Sequence, residues 1–208
     1  IAPTQITDIF GSDAFRYYFM KAIGFGSDGS FSWEDLSARY NSELANGFGN
    51  LASRVIAMIN KYFDGVVPAP GKYQEVDLGI QKVASDAVVG ANSAIDKVAI
   101  HEAIAKVWTL VDELNNYITV QAPWVLAKDE ADRERLATVL YTTAEGLRLL
   151  AVLLTPITPK ATQKLWNAIG TNLGELSEQR IQNGEWGVLP SGTKLGELEV
   201  LFPRVEEQ

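Results

Sequence analysis

The chain contains no cysteine, so within its 208 residues neither a disulfide nor a cysteine-based zinc site can form. It has one histidine, His101, too few for a two-histidine metal motif. A hydrolytic triad needs only one imidazole, but no Gly-x-Ser-x-Gly elbow accompanies it. The surrounding Ala99-Ile100-His101-Glu102-Ala103 reads as an ordinary helical stretch. No run reaches roughly 18 uninterrupted apolar residues, which argues against a transmembrane helix. The most apolar stretch, from Leu147 to Thr158, is interrupted by Arg148 and Pro156 and reads as a core helix and its end. Neither G-x-x-x-x-G-K-[ST] nor G-x-G-x-x-G occurs, so no phosphate-cradling glycine loop is present. Basic charge is also scarce: 18 Lys and Arg against 26 Asp and Glu leave a net charge of -8. That argues against a protein that coats nucleic acid non-specifically, because such affinity comes from lysine and arginine on phosphates. It does not exclude a local basic patch. The first residue is Ile1, not Met, and no signal segment follows, so the chain is expected to begin inside a longer polypeptide.

What is present is 47 % apolar and 21 % charged residues, ordinary for a soluble globular protein. Thr4 to Gly11 reads as a short strand or turn region. Ser12 is a candidate cap for a helix through Ala14–Ala22, and Gly24–Ser30, with an Asp28-Gly29 turn signal, breaks it. Ser32 with Asp35 three residues on resembles a capping box. Apolar residues then recur every three or four positions from Trp33 to Phe63, which predicts one long amphipathic helix ending near Asp64-Gly65. After a Pro- and Gly-containing loop at 66–74, further helices are expected over Val76–Ala94, Ala99–Thr119, Glu130–Leu154 and Lys160–Ala168. Pro123, Pro156 and Gly170 act as stops. The fold class is therefore all-α, an antiparallel helical bundle. Residues 171–208 hold no long helix, except at Glu175–Gln182. The apolar run Val200–Val205 is expected to pack back on the body, or on a domain outside this chain.

Asn46, Asn50 and Arg54 recur at four-residue intervals in the long helix. In an α-helix successive members lie about 6 Å apart along the axis and drift about 40° in azimuth, forming one polar ladder. Asn offers a donor and an acceptor and Arg a donor fork, which suits the edges of unstacked single-stranded bases. Two Asn and two Gly (Gly47 and Gly49) weaken a helix where packing alone favours Ala or Leu, and the glycines would permit close approach of RNA or another helix. The spacing is equally that of a solvated helix face with an Asn buried between helices. Trp124 follows Pro123 at a helix terminus, where an indole can be a stacking platform or simply cap the core. Trp33, Trp108, Trp166 and Trp186 read as packing residues. Arg16, Lys21, Arg39, Lys61 and Lys128 are weak candidates for phosphate contacts.

The ordered tracts Ile6–Tyr18, Phe25–Ser32, Leu44–Arg54, Asn116–Ile118, Gln121–Trp124 and Leu201–Arg204 together resemble the methionyl-tRNA synthetase family of bacterial type. The resemblance implies that residues 1–31 are a stem-contact region at the end of the catalytic domain. It makes residues 32–170 the helical anticodon-binding domain of a class I synthetase, and 171–208 a C-terminal segment packing back on the body or on the catalytic domain. It places the contacts to the CAU anticodon on Asn46, Asn50, Arg54 and Trp124. Thr119 departs from the family's acidic residue there, which leaves a contact at that point in doubt. No catalytic and no metal-binding residue is expected. The ATP- and methionine-binding motifs are expected upstream, so ATP with Mg belongs to the parent methionine–tRNA ligase and this part alone should be inactive. The implied partners are the tRNA(Met) anticodon loop and the catalytic domain of the same enzyme, with no membrane, in a cytoplasmic monomer. A helical protein-interaction module, or the equivalent domain of another class I aliphatic synthetase, are the alternatives.

Overall fold

A computed structural model describes residues 2–24, 26, 29–181 and 185–205. Among these it is all-α. Helices α1 (Pro3–Phe10) and α2 (Ser12–Ala22) precede a long helical rod made of α3 (Trp33–Arg39), a π-helical segment (Tyr40–Gly49) and α4 (Asn50–Phe63). Then follow α5 (Glu75–Asp96), α6 (Ile100–Gln121), the single turn α7 (Pro123–Leu126), α8 (Arg133–Leu154) and α9 (Pro159–Ile169). The bundle and its helix boundaries follow the expected periodicity closely. Ser32 caps α3, its hydroxyl accepting from the Asp35 N–H, and Asp64 in the left-handed conformation ends α4.

Four readings of the sequence change. Residues 3–10 are a helix, not a strand or turn. Pro3 occupies the first helical position, the Gln5 side chain accepts from the Ala2 N–H, and Ile6 and Phe10 bury one face. Gly11 at φ 84 stops this helix and immediately starts α2, so Ser12 is the first residue of α2 and not its cap. The rod from 33 to 63 is continuous but not uniformly α. Between Tyr40 and Gly49 the backbone closes five-residue hydrogen bonds, as from the Asn50 N–H to the Ala45 carbonyl. In the C-terminal segment the expected helix shrinks to one 3₁₀ turn, Leu176–Glu178. The Asp28-Gly29 turn and residue 182 lie outside the described residues.

Helix α8 is the axis of the bundle. Residues 136–151 are buried on every face, and α4, α5, α6, α7 and α9 all pack on it. By length and composition it could cross a membrane, but 89 % of that stretch is buried inside the fold, which makes it a core helix. The N-terminal pair docks through polar contacts. Asp13 accepts from the Ala161 N–H at 2.7 Å at the start of α9, and Arg16 donates to the carbonyls of Pro156 and Ile157. Arg16 is thus engaged within the fold.

The C-terminal segment is fastened to α8 by a buried carboxylate. Glu145, with no exposure, accepts from the N–H groups of Gly187, Val188 and Leu189 at 2.8–3.0 Å, and from Arg148 at 2.8 Å. Arg148 in turn donates to the Glu185 carbonyl. Further on, Val67 and Thr193 pair backbone to backbone at 2.9 Å. Breaking a buried ion pair from one side leaves a charge and several N–H groups unpartnered. Glu145→Ala is therefore expected to lower unfolding free energy by about 3–5 kcal/mol. Lys82→Ala, in a pair that is well exposed, should change it by no more than about 0.5 kcal/mol. Urea unfolding midpoints of the two variants check this, and similar midpoints would refute the role given to Glu145.

Candidate nucleic-acid interface

The ladder residues sit on the exposed side of the rod, but the π segment changes their geometry. Asn50 and Arg54 belong to α4 and keep the α-helical step. Asn46 lies in the π segment, whose wider turn makes a four-residue step fall short of a full turn instead of overshooting it. The segment is held from behind. Asn115 on α6 donates its amide to the Gly47 carbonyl at 3.1 Å, supplying a partner where the helical ladder is irregular. Asn46 and Asn50 are exposed, and neither is buried between helices.

Of the two glycines, Gly49 is the one with crowded surroundings. A Cβ on Gly49 would lie 3.1 Å from the Leu44 carbonyl oxygen, a tight approach within the π segment, and 3.7 Å from the Phe202 ring, an ordinary contact. Phe202 packs on Tyr40 and Phe48 with centroids 6.1 and 6.3 Å away. The Tyr40 hydroxyl donates to the Pro203 carbonyl at 2.6 Å, and Asn41 exchanges hydrogen bonds with Val205. Burying Leu201 and Phe202 gains roughly 1.5–3 kcal/mol each. Ordering the backbone costs about 1–2 kcal/mol per residue. Apolar burial of these two side chains alone therefore does not cover the ordering cost of a five-residue stretch, and these hydrogen bonds are needed to hold it.

This docking delivers Arg204, which was not anticipated as a site residue. Its guanidinium donates to Asn46 Oδ1 at 2.7 Å, and it borders the same shallow groove as Asn46, Asn50 and Ser53. The Leu201–Arg204 tract carried the signal, but no local spacing says that residue 204 returns to residue 46.

Trp124 is 42 % exposed, with the Arg54 guanidinium 5.8 Å from its ring centroid, a cation–π contact that links ladder and indole. The structure thus brings Arg54 to Trp124, and Asn46 and Asn50 to one groove. The turn that carries the indole is fixed from beneath. Ala122 is left-handed at φ 44, Pro123 is buried, and Gln121 accepts from Arg135 at 2.7 Å. Arg135 forks onto Asp77 at 2.6 and 2.9 Å, and Tyr117 donates to the same carboxylate. Thr119 turns its hydroxyl back onto the Asn115 carbonyl of its own helix.

The other basic candidates divide. Lys21 binds Glu43 and lies over the rings of Tyr17 and Trp108, and Arg39 binds Asp35 and Glu43, so neither is available to a phosphate as it stands. Lys61 and Lys128 are exposed. Trp108 and Trp166 are core residues, whereas Trp33, expected to pack, is 37 % exposed and stands edge-to-face with the Phe31 ring. Among the described residues no group of three His, Cys, Asp or Glu could hold a metal ion.

Comparison with known proteins adds the following. Residues 67–208 match the family described as anticodon binding domain of methionyl tRNA ligase, and residues 1–56 match tRNA synthetases class I (M). The methionine–tRNA ligase of Streptomyces coelicolor is 49 % identical over the whole chain, which covers 40 % of that protein. That of Caldanaerobacter subterraneus is 40 % identical over 99 % of the chain and 32 % of the relative. The apo crystal structure of Mycobacterium tuberculosis methionyl-tRNA synthetase superposes with a TM-score of 0.91 at 34 % identity, covering 100 % of this chain and 42 % of that one. Its form bound by methionyl-adenylate gives 0.90. The chain thus spans about two-fifths or less of the length of these relatives.

The polar network under Trp124 has a pH signature. Burial pushes the Asp77 carboxyl up, but hydrogen bonds from Arg135, Tyr117 and the Gln74 N–H outweigh it and hold it below the ordinary carboxylate value. A folded pKa below the unfolded one stabilises the fold fully above the unfolded value of about 3.9. That stabilisation is lost as the pH falls through the lower, folded value. Denaturant unfolding between neutral and strongly acidic pH should show this loss. Asp77→Asn should be less stable at neutral pH and show a smaller acid-dependent change; an unchanged pH profile would refute the assignment.

Proposed function

Because the chain belongs to the methionyl-tRNA ligase family, we propose that its bundle reads the CAU anticodon of tRNA(Met). Trp124 serves as a platform for one unstacked anticodon base, while Asn46, Asn50 and Arg54 hydrogen-bond base edges. The observation that carries the reading is the half-exposed Trp124 indole beside Arg54. The core tryptophans Trp108 and Trp166 are instead buried, as apolar burial favours.

In this reading residues 1–31 contact the stem side at the end of the catalytic domain, 32–170 form the reading domain, and 171–208 dock back on it. The whole ligase attaches methionine to tRNA with ATP, in the cytoplasm and as a monomer, using residues outside this chain for the chemistry. Reading and reaction are then coupled: a correctly bound anticodon places the acceptor end in the catalytic site, so binding energy at one end becomes a condition for reaction at the other. Recognition through stacking and base edges also fits a chain of net charge -8, which lacks the lysine and arginine surplus of a general phosphate binder.

The test is binding of this chain to a CAU anticodon stem-loop and to one with a changed anticodon. A preference for CAU is expected, and Trp124→Ala should cost about 1–3 kcal/mol, the usual worth of one base stack. Equal binding of both loops by the folded chain would sink the reading and favour a protein-interaction role.

A further inference from the structure

Trp124 is presented by a turn that its local sequence does not stabilise. Ala122 holds φ 44 and ψ 61, a conformation costly for any residue with a Cβ, which persists only when its surroundings over-determine it. Backbone bonds close the turn, from the Ala122 N–H to Ile118 O and from the Val125 N–H to Ala122 O. They fix its shape but not its direction relative to the rod. The direction depends on where the last turn of α6 is tied. Tyr117 and Gln121 stand one turn apart on that helix, and both reach the same ion pair. Tyr117 donates to Asp77, and Gln121 accepts from the Arg135 nitrogen Nη2, which also donates to Asp77 Oδ1. Asp77 is fully buried on α5, and the Arg135 side chain on α8 is 14 % exposed, so both anchors belong to rigid helices.

We propose that Gln121 is a positioning residue for anticodon reading: through Arg135 and Asp77 it fixes the last turn of α6 and thereby the direction in which Trp124 offers its indole. The inference rests on the reading that Trp124 stacks on an anticodon base. It assigns Gln121 no contact with RNA. The amide carbonyl is its working group, because it accepts the second N–H of Arg135 Nη2, and leaving that N–H unpaired in a half-buried site is unfavourable.

The experiment is a double-mutant cycle read by CAU stem-loop binding, with a changed-anticodon loop as reference. Gln121→Leu keeps the bulk and removes the acceptor. It should reduce the CAU preference roughly tenfold, within the range that loss of a base stack allows. It should reduce it no further in a Trp124→Ala background, because the residue acts through Trp124. Gln121→Glu retains an acceptor oxygen and should keep the preference. Arg135→Lys keeps Asp77 paired but has no second arm for Gln121, and should repeat the Gln121→Leu pattern. Circular dichroism confirms that each variant is folded. If folded Gln121→Leu and Arg135→Lys keep the full preference while Trp124→Ala loses it, the positioning role is overturned and anticodon reading stands. Equal losses by Gln121→Leu with and without Trp124 overturn it as well. If Trp124→Ala keeps the preference, the anticodon reading fails and takes this inference with it.

Discussion

A carboxylate with no exposure must be partnered on every side, and Asp77 is the constraint from which much of this structure follows. Taking such a charge out of water costs several kcal/mol, recovered only when opposite charge and hydrogen-bond donors stand in the right places. For Asp77 those donors come from the Gln74 backbone, from Tyr117 on α6 and from Arg135 on α8. One side chain therefore sets the register of three helices. Their meeting point lies directly beneath the turn that carries Trp124, so bundle stability and the geometry of the exposed indole have a common origin.

A second constraint shapes the other end of the candidate site. The π segment from 40 to 49 is weaker as a helix than an α-helical run would be, and it is stabilised from two sides. Asn115 satisfies the Gly47 carbonyl from the bundle, and Phe202 fills the space over Gly49 from the C-terminal segment. That segment is itself secured at Glu145, far along the chain from the rod. The last residues are thus part of the site's construction, and Arg204 reaches Asn46 only because the whole strap is in place.

Charge is used sparingly. Arg16, Lys21 and Arg39 are engaged with carbonyls and carboxylates of the protein, while Arg54 and Arg204 stand at the ladder. With a net charge of -8, long-range attraction to a polyanion is weak, and discrimination rests on short-range contacts whose geometry the bundle holds.

The helices and most of their ends were determined by local patterns: apolar spacing, Ser32 as cap, and Pro123 and Pro156 as stops. These signals act within a few residues, so a linear reading recovers them. The candidate quartet Asn46, Asn50, Arg54 and Trp124 came instead from the order of tracts that resembles a family, since its spacing equally fits a solvated helix face. Tertiary structure alone decided the rest. The π segment around Asn46 is met by Asn115, 68 residues from the carbonyl it satisfies. Residues 3–10 fold as a helix because Ile6 and Phe10 find a core to bury against, which eight residues in isolation cannot show. Trp33 and Trp124 share a composition class with the buried Trp108 and Trp166, and only packing separates them. Arg204 and the Asp77–Arg135–Gln121 network join residues 14 to 158 positions apart, and such pairings are set by how helices pack, which no local pattern encodes.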